Sequence, residues 1–286
     1  MKIGFIGQGF IGRHMADDFE ERGFAVVRYA LEPAYAGNRE AVATCDIVFI
    51  AVPTPTTPVG FDASALKSAL TLVGDGHIAV IKSTVLPGTT GRLQTQFPHL
   101  TIFHSPEFLR EKSAAHDTRH PERTIIGMPI VDAAHTRVAE QVLGVLPKAA
   151  FDQICSAETA ELVKYGGNCF LALKVVYMNM LYDAAKAVGA NYDELTTAMA
   201  ADARIGNSHM RVVDTSGHSG SVPGRGAGGH CFPKDLAAFT TWYGDVVSSD
   251  PIGQSVWRAV EAKNNQLLTE SQKDLELLEA IYGPRV

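Results

Sequence analysis

Residues 226–235 read Gly-Ala-Gly-Gly-His-Cys-Phe-Pro-Lys-Asp, a glycine-rich turn that carries one cysteine to a proline suited to the first turn of a helix. Cys231 is therefore expected at a helix N-terminus. The helix dipole and neighbouring Lys234 favour thiolate over thiol there, which makes Cys231 a candidate nucleophile, with Asp235 inside the first turn. Gly226, Gly228 and Gly229 leave room for a ligand or another backbone to come close. A second candidate set is Lys164 and Asn168. Four apart, they share one face of a helix and can both donate hydrogen bonds to an oxygen that becomes negative during reaction. Gly166 and Gly167 lie between them. Each costs about 1 kcal/mol in a helix interior, so something is expected to pack closely on this turn.

A third set follows the first apolar run. Ile3 to Ile6 lead into Gly7-Gln8-Gly9-Phe10-Ile11-Gly12 and then a helical pattern, the strand, glycine turn and helix that set a dinucleotide pyrophosphate against a helix N-terminus. Gly7, Gly9 and Gly12, with Phe10 and Ile11 between them, are the expected cofactor contacts. The second strand, read over residues 24–31, lacks the usual ribose-binding acid at its end, and Glu32 is the nearest substitute. NAD is the expected cofactor. NADP stays open as an alternative, because Arg28 or Arg39 could meet a 2′-phosphate.

These groups need elements to position them. Residues 45–52 form a continuous apolar strand that Val52-Pro53-Thr54-Pro55 ends, and residues 56–62 follow as a polar loop. Further strands are read at 78–81, 101–103, 123–127 and 148–154, alternating with helices, which predicts a parallel sheet covered on both faces. Thr84, Glu107 and Glu111 all follow strand ends, on the edge where the glycine turn also falls. The second half reads as helices: one long helix over 156–188 opened by Glu158 and Glu161 and closed by Gly189, then another from Asp193 to Arg204-Ile205-Gly206. A polar loop at 207–225 follows, then helices from Pro233 and an amphipathic tail at 267–281. The fold class is α/β: a doubly wound parallel, Rossmann-type domain over 1–154, then an all-α domain over 155–286 built on one long helix.

Composition narrows the function classes. A formal net charge of -6 supplies no basic footprint, so no nucleic-acid partner is expected. The four cysteines have neither CxxC spacing nor the density of a disulfide scaffold, which fits a reducing, cytoplasmic compartment. The chain is expected to begin directly with its first strand, with no secretory signal and no membrane segment.

Taken together, these motifs resemble the UDP-glucose/GDP-mannose dehydrogenase family. They are the glycine turn, Val52-Pro53-Thr54-Pro55, Ser83-Thr84-Val85-Leu86-Pro87-Gly88-Thr89-Thr90, Ser105-Pro106-Glu107-Phe108-Leu109-Arg110-Glu111, Lys164 with Asn168, Arg204-Ile205-Gly206, and residues 228–235. The resemblance implies oxidation of a nucleotide sugar's C6 hydroxyl to a carboxylate with two molecules of NAD. It gives Cys231 the role of nucleophile on the intermediate aldehyde, Lys164 and Asn168 that of oxyanion donors, and Asp235 that of proton transfer or water placement. Glu107 and Thr84 resemble residues that handle water and protons, and Glu111 lies near the same site. Phe108, Leu109, Arg204 and Gly228 fall in substrate-binding motifs; Val52, Pro53, Thr54, Thr84, Glu111 and Lys234 fall in cofactor-binding ones. Arg204 implies a homodimer, since its family counterpart reaches a neighbouring subunit's sugar site.

The chain departs from the family pattern here as well as at the displaced ribose-binding acid. The chain is expected to be a short form that stops without the third, nucleotide-binding domain. His230 replaces the usual serine before the cysteine, and the loop after Arg204 is long enough for Arg211, His218 and Arg225 to hold the phosphates instead. Two other readings stay open: a two-electron hydroxyacid-type dehydrogenase, which has no use for a nucleophile, and a catalytically inactive nucleotide-binding module.

Overall fold

The computed structural model describes residues 1–284. The chain divides into two compact units, one of Met1–Pro55 with Phe61–Lys164, the other of Thr56–Gly60 with the chain from Tyr165 onward.

In the first unit, short apolar runs become a seven-stranded sheet. Its order is Ala25–Tyr29, Lys2–Ile6, Ile47–Ile50, Ile78–Ile81, Thr101–His104, Arg123–Met128 and Phe151–Ser156. Side chains alternate between faces, so each central strand feeds two cores. Ile47 and Phe49 pack with Ile3, Phe5, Phe19 and Val80, while Val48 and Ile50 pack with Leu66, Leu70, Ile81 and Leu93. Each fully buried Ile, Leu or Phe contributes roughly 1.5–3 kcal/mol, which is why these strands read as unbroken apolar runs. The first five strands are parallel, and their C-terminal ends therefore share one edge.

The sheet is mostly parallel, as the sequence predicted, and departs from that at one pairing. Arg123–Met128 pairs antiparallel with Thr101–His104 through His104 and Gly127, and Phe151–Ser156 then runs parallel to Arg123–Met128. The segment between carries the 3-10 turn Glu111–Ser113 and the short helix Ala114–Arg119 and re-enters the sheet from the edge it left, so without a crossover the strand runs antiparallel. The second strand also stops at Tyr29, earlier than read.

The second unit is helical. The long helix, Ala157–Val188, begins in the first unit, continues into this one, and ends where Gly189 turns left-handed. The next helix, Tyr192–Ala200, is capped by the Asn191 carboxamide oxygen and ends before Arg204. Helices Phe232–Val246 and Pro251–Glu270 follow. The expected amphipathic tail is broken in two: a tight turn holding Gln272 and Asp274 at positive φ separates Glu270 from a last helix, Leu275–Tyr282. Among the described residues no helix is long and apolar enough to cross a membrane.

Candidate active site

The glycine turn of the first unit is built for close approach. Gly7 adopts φ +93°, and a Cβ there would sit 2.3 Å from the Ala51 carbonyl oxygen; one at Gly12 would sit 1.9 Å from the Gly7 oxygen. Gly9 opens the helix Phe10–Glu21 with no side-chain cap and no acidic residue in the first turn, and the space beside it is empty. The first-turn N–H groups are therefore available to an anion. Gln8 adds a buried amide oxygen without a hydrogen-bond partner. This cradle fits the pyrophosphate of a dinucleotide. Phe10 is exposed and Ile11 half-buried at its rim. Glu32 is exposed just beyond the second strand. Arg28 is committed elsewhere, its guanidinium holding Glu20 at 2.9 and 2.7 Å and Asp17 at 2.7 Å, so it is not open to a 2′-phosphate.

Along the same edge, the Ser83 hydroxyl donates to the Val52 carbonyl at 2.7 Å, and the Thr54 hydroxyl donates to the Thr84 carbonyl at 2.7 Å. These bonds lock the Val52-Pro53-Thr54 turn to the Thr84 turn. At the next strand end, Lys164 donates to the Glu107 carboxylate at 2.9 Å and to the Glu107 backbone oxygen at 2.7 Å. The Leu109 N–H donates to the other carboxylate oxygen at 2.6 Å. Lys164 is 5% exposed, so this is a desolvated ion pair. The Phe108 ring lies 3.8 Å under the Arg123 guanidinium and 5.7 Å from the Lys164 ammonium. Glu111 begins a short 3-10 turn and keeps one buried carboxylate oxygen without a hydrogen bond.

In the second unit, Cys231 is the N-cap of Phe232–Val246 and is exposed, with Pro233 in the first turn. Asp235 is 1% exposed. Its carboxylate accepts from the Asn168 amide at 2.6 Å and from the Lys234 ammonium. Buried Cys169 donates weakly to the Asp235 backbone oxygen at 3.9 Å, and burial pushes its thiol well above the ordinary range. Arg204 is exposed and paired with Asp202 at 2.6 Å.

Several residues that hold the cysteine turn were not singled out from the sequence. Asn264, fully buried, accepts from the Ala227 N–H at 2.7 Å and donates to the Ala227 oxygen at 3.0 Å. Lys273 donates to the Gly226 oxygen at 3.0 Å. Asp274, 3% exposed, accepts from the Gly229 N–H at 2.7 Å, from the Ser216 hydroxyl and from His218 at 3.0 Å. Burial alone would raise the Asp274 carboxyl, but these donors hold it below the usual carboxylate range. A Cβ on Gly228 would lie 2.1 Å from an Asp274 oxygen, so only glycine fits against this brace. Helical periodicity in the tail gave no sign of it, because Lys273 and Asp274 act from the turn between two helices and Asn264 from inside the first of them.

Three expectations are revised. Among the described residues, no atom lies within 4 Å of where a Cβ would be at Gly166 or Gly167. His218 faces Asp274, and Arg225 is spent on Asn179 at 2.9 Å and Asp183 at 2.9 Å; neither is directed to a ligand phosphate. Glu161, read as an opening acid of the long helix, instead caps the helix Thr89–Gln96. It accepts from the Gly88 and Thr90 N–H groups at 2.6 and 2.8 Å and from the Thr90 hydroxyl at 2.6 Å. Burial pushes the Glu161 carboxyl up to about 7.

Comparison with known proteins agrees with this geometry. Residues 34–143 match the family model described as the UDP-glucose/GDP-mannose dehydrogenase family NAD binding domain, and residues 158–266 match that family's central domain. The chain is 31% identical to UDP-glucose 6-dehydrogenase AglM of Haloferax volcanii over 83% of its own length and 64% of that protein's. It is 32% identical to the UDP-glucose 6-dehydrogenase of Rhizobium meliloti over 70% of its length and 46% of that protein's. The chain thus spans about half to two-thirds of these curated relatives. Among solved structures, a UDP-glucose dehydrogenase from Pyrobaculum islandicum superposes with a TM-score of 0.76 at 28% identity, covering 94% of this chain and 70% of that one. A 3-hydroxyisobutyrate dehydrogenase from Mycobacterium tuberculosis shares the fold at a TM-score of 0.68 and 17% identity, with 100% and 99% covered. With both of its units matched by consecutive domains of one family, the chain belongs to the UDP-glucose/GDP-mannose dehydrogenase family.

Proposed function

We propose that this protein oxidises the C6 hydroxyl of a nucleotide sugar of the UDP-glucose kind to a carboxylate in two oxidations. The observation that carries the reading is the first turn of Phe232–Val246, where an exposed cysteine caps the helix and the buried Asp235 holds the Asn168 amide. NAD, when bound in the glycine cradle, supplies the hydride acceptor for both oxidations. Cys231 adds through its sulfur to the aldehyde carbon left by the first oxidation, giving a thiohemiacetal; loss of a second hydride gives a thioester, and water then releases the carboxylate and the thiol. Lys164 and Asn168 donate to the oxygen that becomes negative at each addition. Asp235 takes or places the proton on the thiol side, and Glu107 with Thr84 orders water and relays protons on the other. Glu111, Phe108, Leu109, Gly228 and Lys234 line cofactor and sugar.

Arg204, exposed, is assigned to a neighbouring subunit's sugar in a homodimer. Phe170, Tyr177 and Met180, exposed apolar residues of the long helix, support a partner there. The setting is a cytoplasmic supply of polysaccharide precursors.

Purified protein assayed against UDP-, GDP- and other sugar nucleotides is expected to give two NADH per sugar, with Cys231→Ser stalled before the carboxylate. One NADH per substrate and an indifferent Cys231→Ser would replace this reading by the two-electron hydroxyacid type, whose fold the chain also shares.

A further inference from the structure

Lys82 follows directly on the strand Ile78–Ile81, inside the first unit, and is 6% exposed. Its ammonium donates to the Ser105 hydroxyl at 3.0 Å and to the Pro106 carbonyl at 3.4 Å, both neutral acceptors. Those two residues lead straight into Glu107. The charged groups whose fields reach Lys82 are Glu107 and Lys164, which are themselves paired. The neighbouring titratable group His104 is buried and bonded to the Ser83 carbonyl at 3.3 Å, and burial pushes its imidazole down to about 3, so it brings no charge. Burial pushes Lys82 down to about 8, Glu107 opposing the fall and Lys164 adding to it. A lysine sealed in without a carboxylate of its own is costly to keep, and an apolar side chain of similar length would fill the space at less cost.

We propose that Lys82 is a positioning residue of the Lys164–Glu107 pair: from beneath the 105–107 turn it fixes the Glu107 backbone and sets, through its own charge, how strongly Lys164 donates to a developing oxyanion. The inference rests on the role proposed above for Lys164. A second cation nearby adds positive potential where an oxygen becomes negative beside Lys164, while Glu107 keeps the cluster from carrying two uncompensated charges.

The test compares wild type, Lys82→Met and Lys82→Arg by urea unfolding between pH 6.5 and 10.5 and by the pH profiles of kcat and KM. Because folding lowers the Lys82 affinity for its proton, the unfolded state binds that proton more tightly, and the wild-type fold gains stability as pH rises from about 8 toward 10.5. The wild-type unfolding constant should fall by about two orders of magnitude across that window relative to Lys82→Met, which has no such group. Lys82→Met should fold, lose at least about tenfold in kcat with KM within about twofold, and lose the alkaline limb of its profile; Lys82→Arg, which keeps the charge, should recover much of kcat. A wild-type slope no steeper than that of Lys82→Met, or an unchanged kcat profile in an active Lys82→Met, overturns the inference alone. Absence of NADH from wild type on every sugar nucleotide overturns the functional reading and this inference with it.

Discussion

Two carboxylates receive donors from the long helix, and they are held in opposite ways. Glu107, in the first unit, sits at a strand end and pairs with a lysine through groups adjacent in the sheet: its own backbone oxygen, the Leu109 N–H, and Ser105 on Lys82. Asp235, in the second unit, receives an amide, and the cysteine turn just before it is held from far along the chain by Asn264, Lys273 and Asp274. The sheet edge positions chemistry as a by-product of its topology. A helical unit has no such edge and must hold the cysteine turn with individual side chains.

That contrast can be broken experimentally. The largest effect is expected at the brace: Asp274→Ala leaves His218, Ser216 and the Gly229 N–H without their acceptor and should cost roughly 3–5 kcal/mol in urea unfolding. It should also raise the alkylation rate of Cys231, the exposed one of the four cysteines. A loss below about 1 kcal/mol would mean that the turn holds itself.

In the first unit the informative variable is pH. Glu161 has a folded-state carboxyl raised to about 7 from an ordinary 4.5, so its contribution is fully present below about 4.5 and is lost as pH rises through 7. Wild type should lose up to about 3 kcal/mol across that window and Glu161→Gln should not; equal slopes would remove Glu161 from the account. The smallest effect belongs to Arg28→Ala, whose partners Asp17 and Glu20 are about half exposed: under about 1 kcal/mol by thermal melting, with cofactor affinity unchanged within about twofold. A large loss of affinity would show that this arginine serves the ligand after all.

What was legible in the sequence follows the same division. Strand, turn and helix around Gly7 are encoded locally, by an apolar run meeting glycines, and the strand ends at Val52, Thr84 and Glu107 follow from that alternation. The reversal at Arg123–Met128 was not readable, since strand direction depends on whether the chain crosses the face, and no residue of the strand records that. Glu161 carried a helix-opening signal but serves a different helix, because a carboxylate near one N-terminus satisfies whichever free N–H groups packing brings to it. Gly166 and Gly167 implied a close neighbour, and among the described residues none comes within 4 Å of a Cβ there. Lys273 and Asp274 lay in a tail whose pattern announced only amphipathic helix, Asn264 just before it, and partners 37 to 47 residues away leave no periodic trace.

Asn264 places an unusual restriction on how this region can change. Its carboxamide meets the N–H and the C=O of Ala227 together, mimicking the edge of a neighbouring peptide unit where no strand runs. A carboxylate offers no hydrogen to the carbonyl, an aliphatic group meets neither atom, and a glutamine must find room for one more methylene in a fully buried position. The stretch ahead of Cys231 is therefore tied to a single side-chain chemistry on a helix far away in the chain, and the two should be free to vary only as a matched pair.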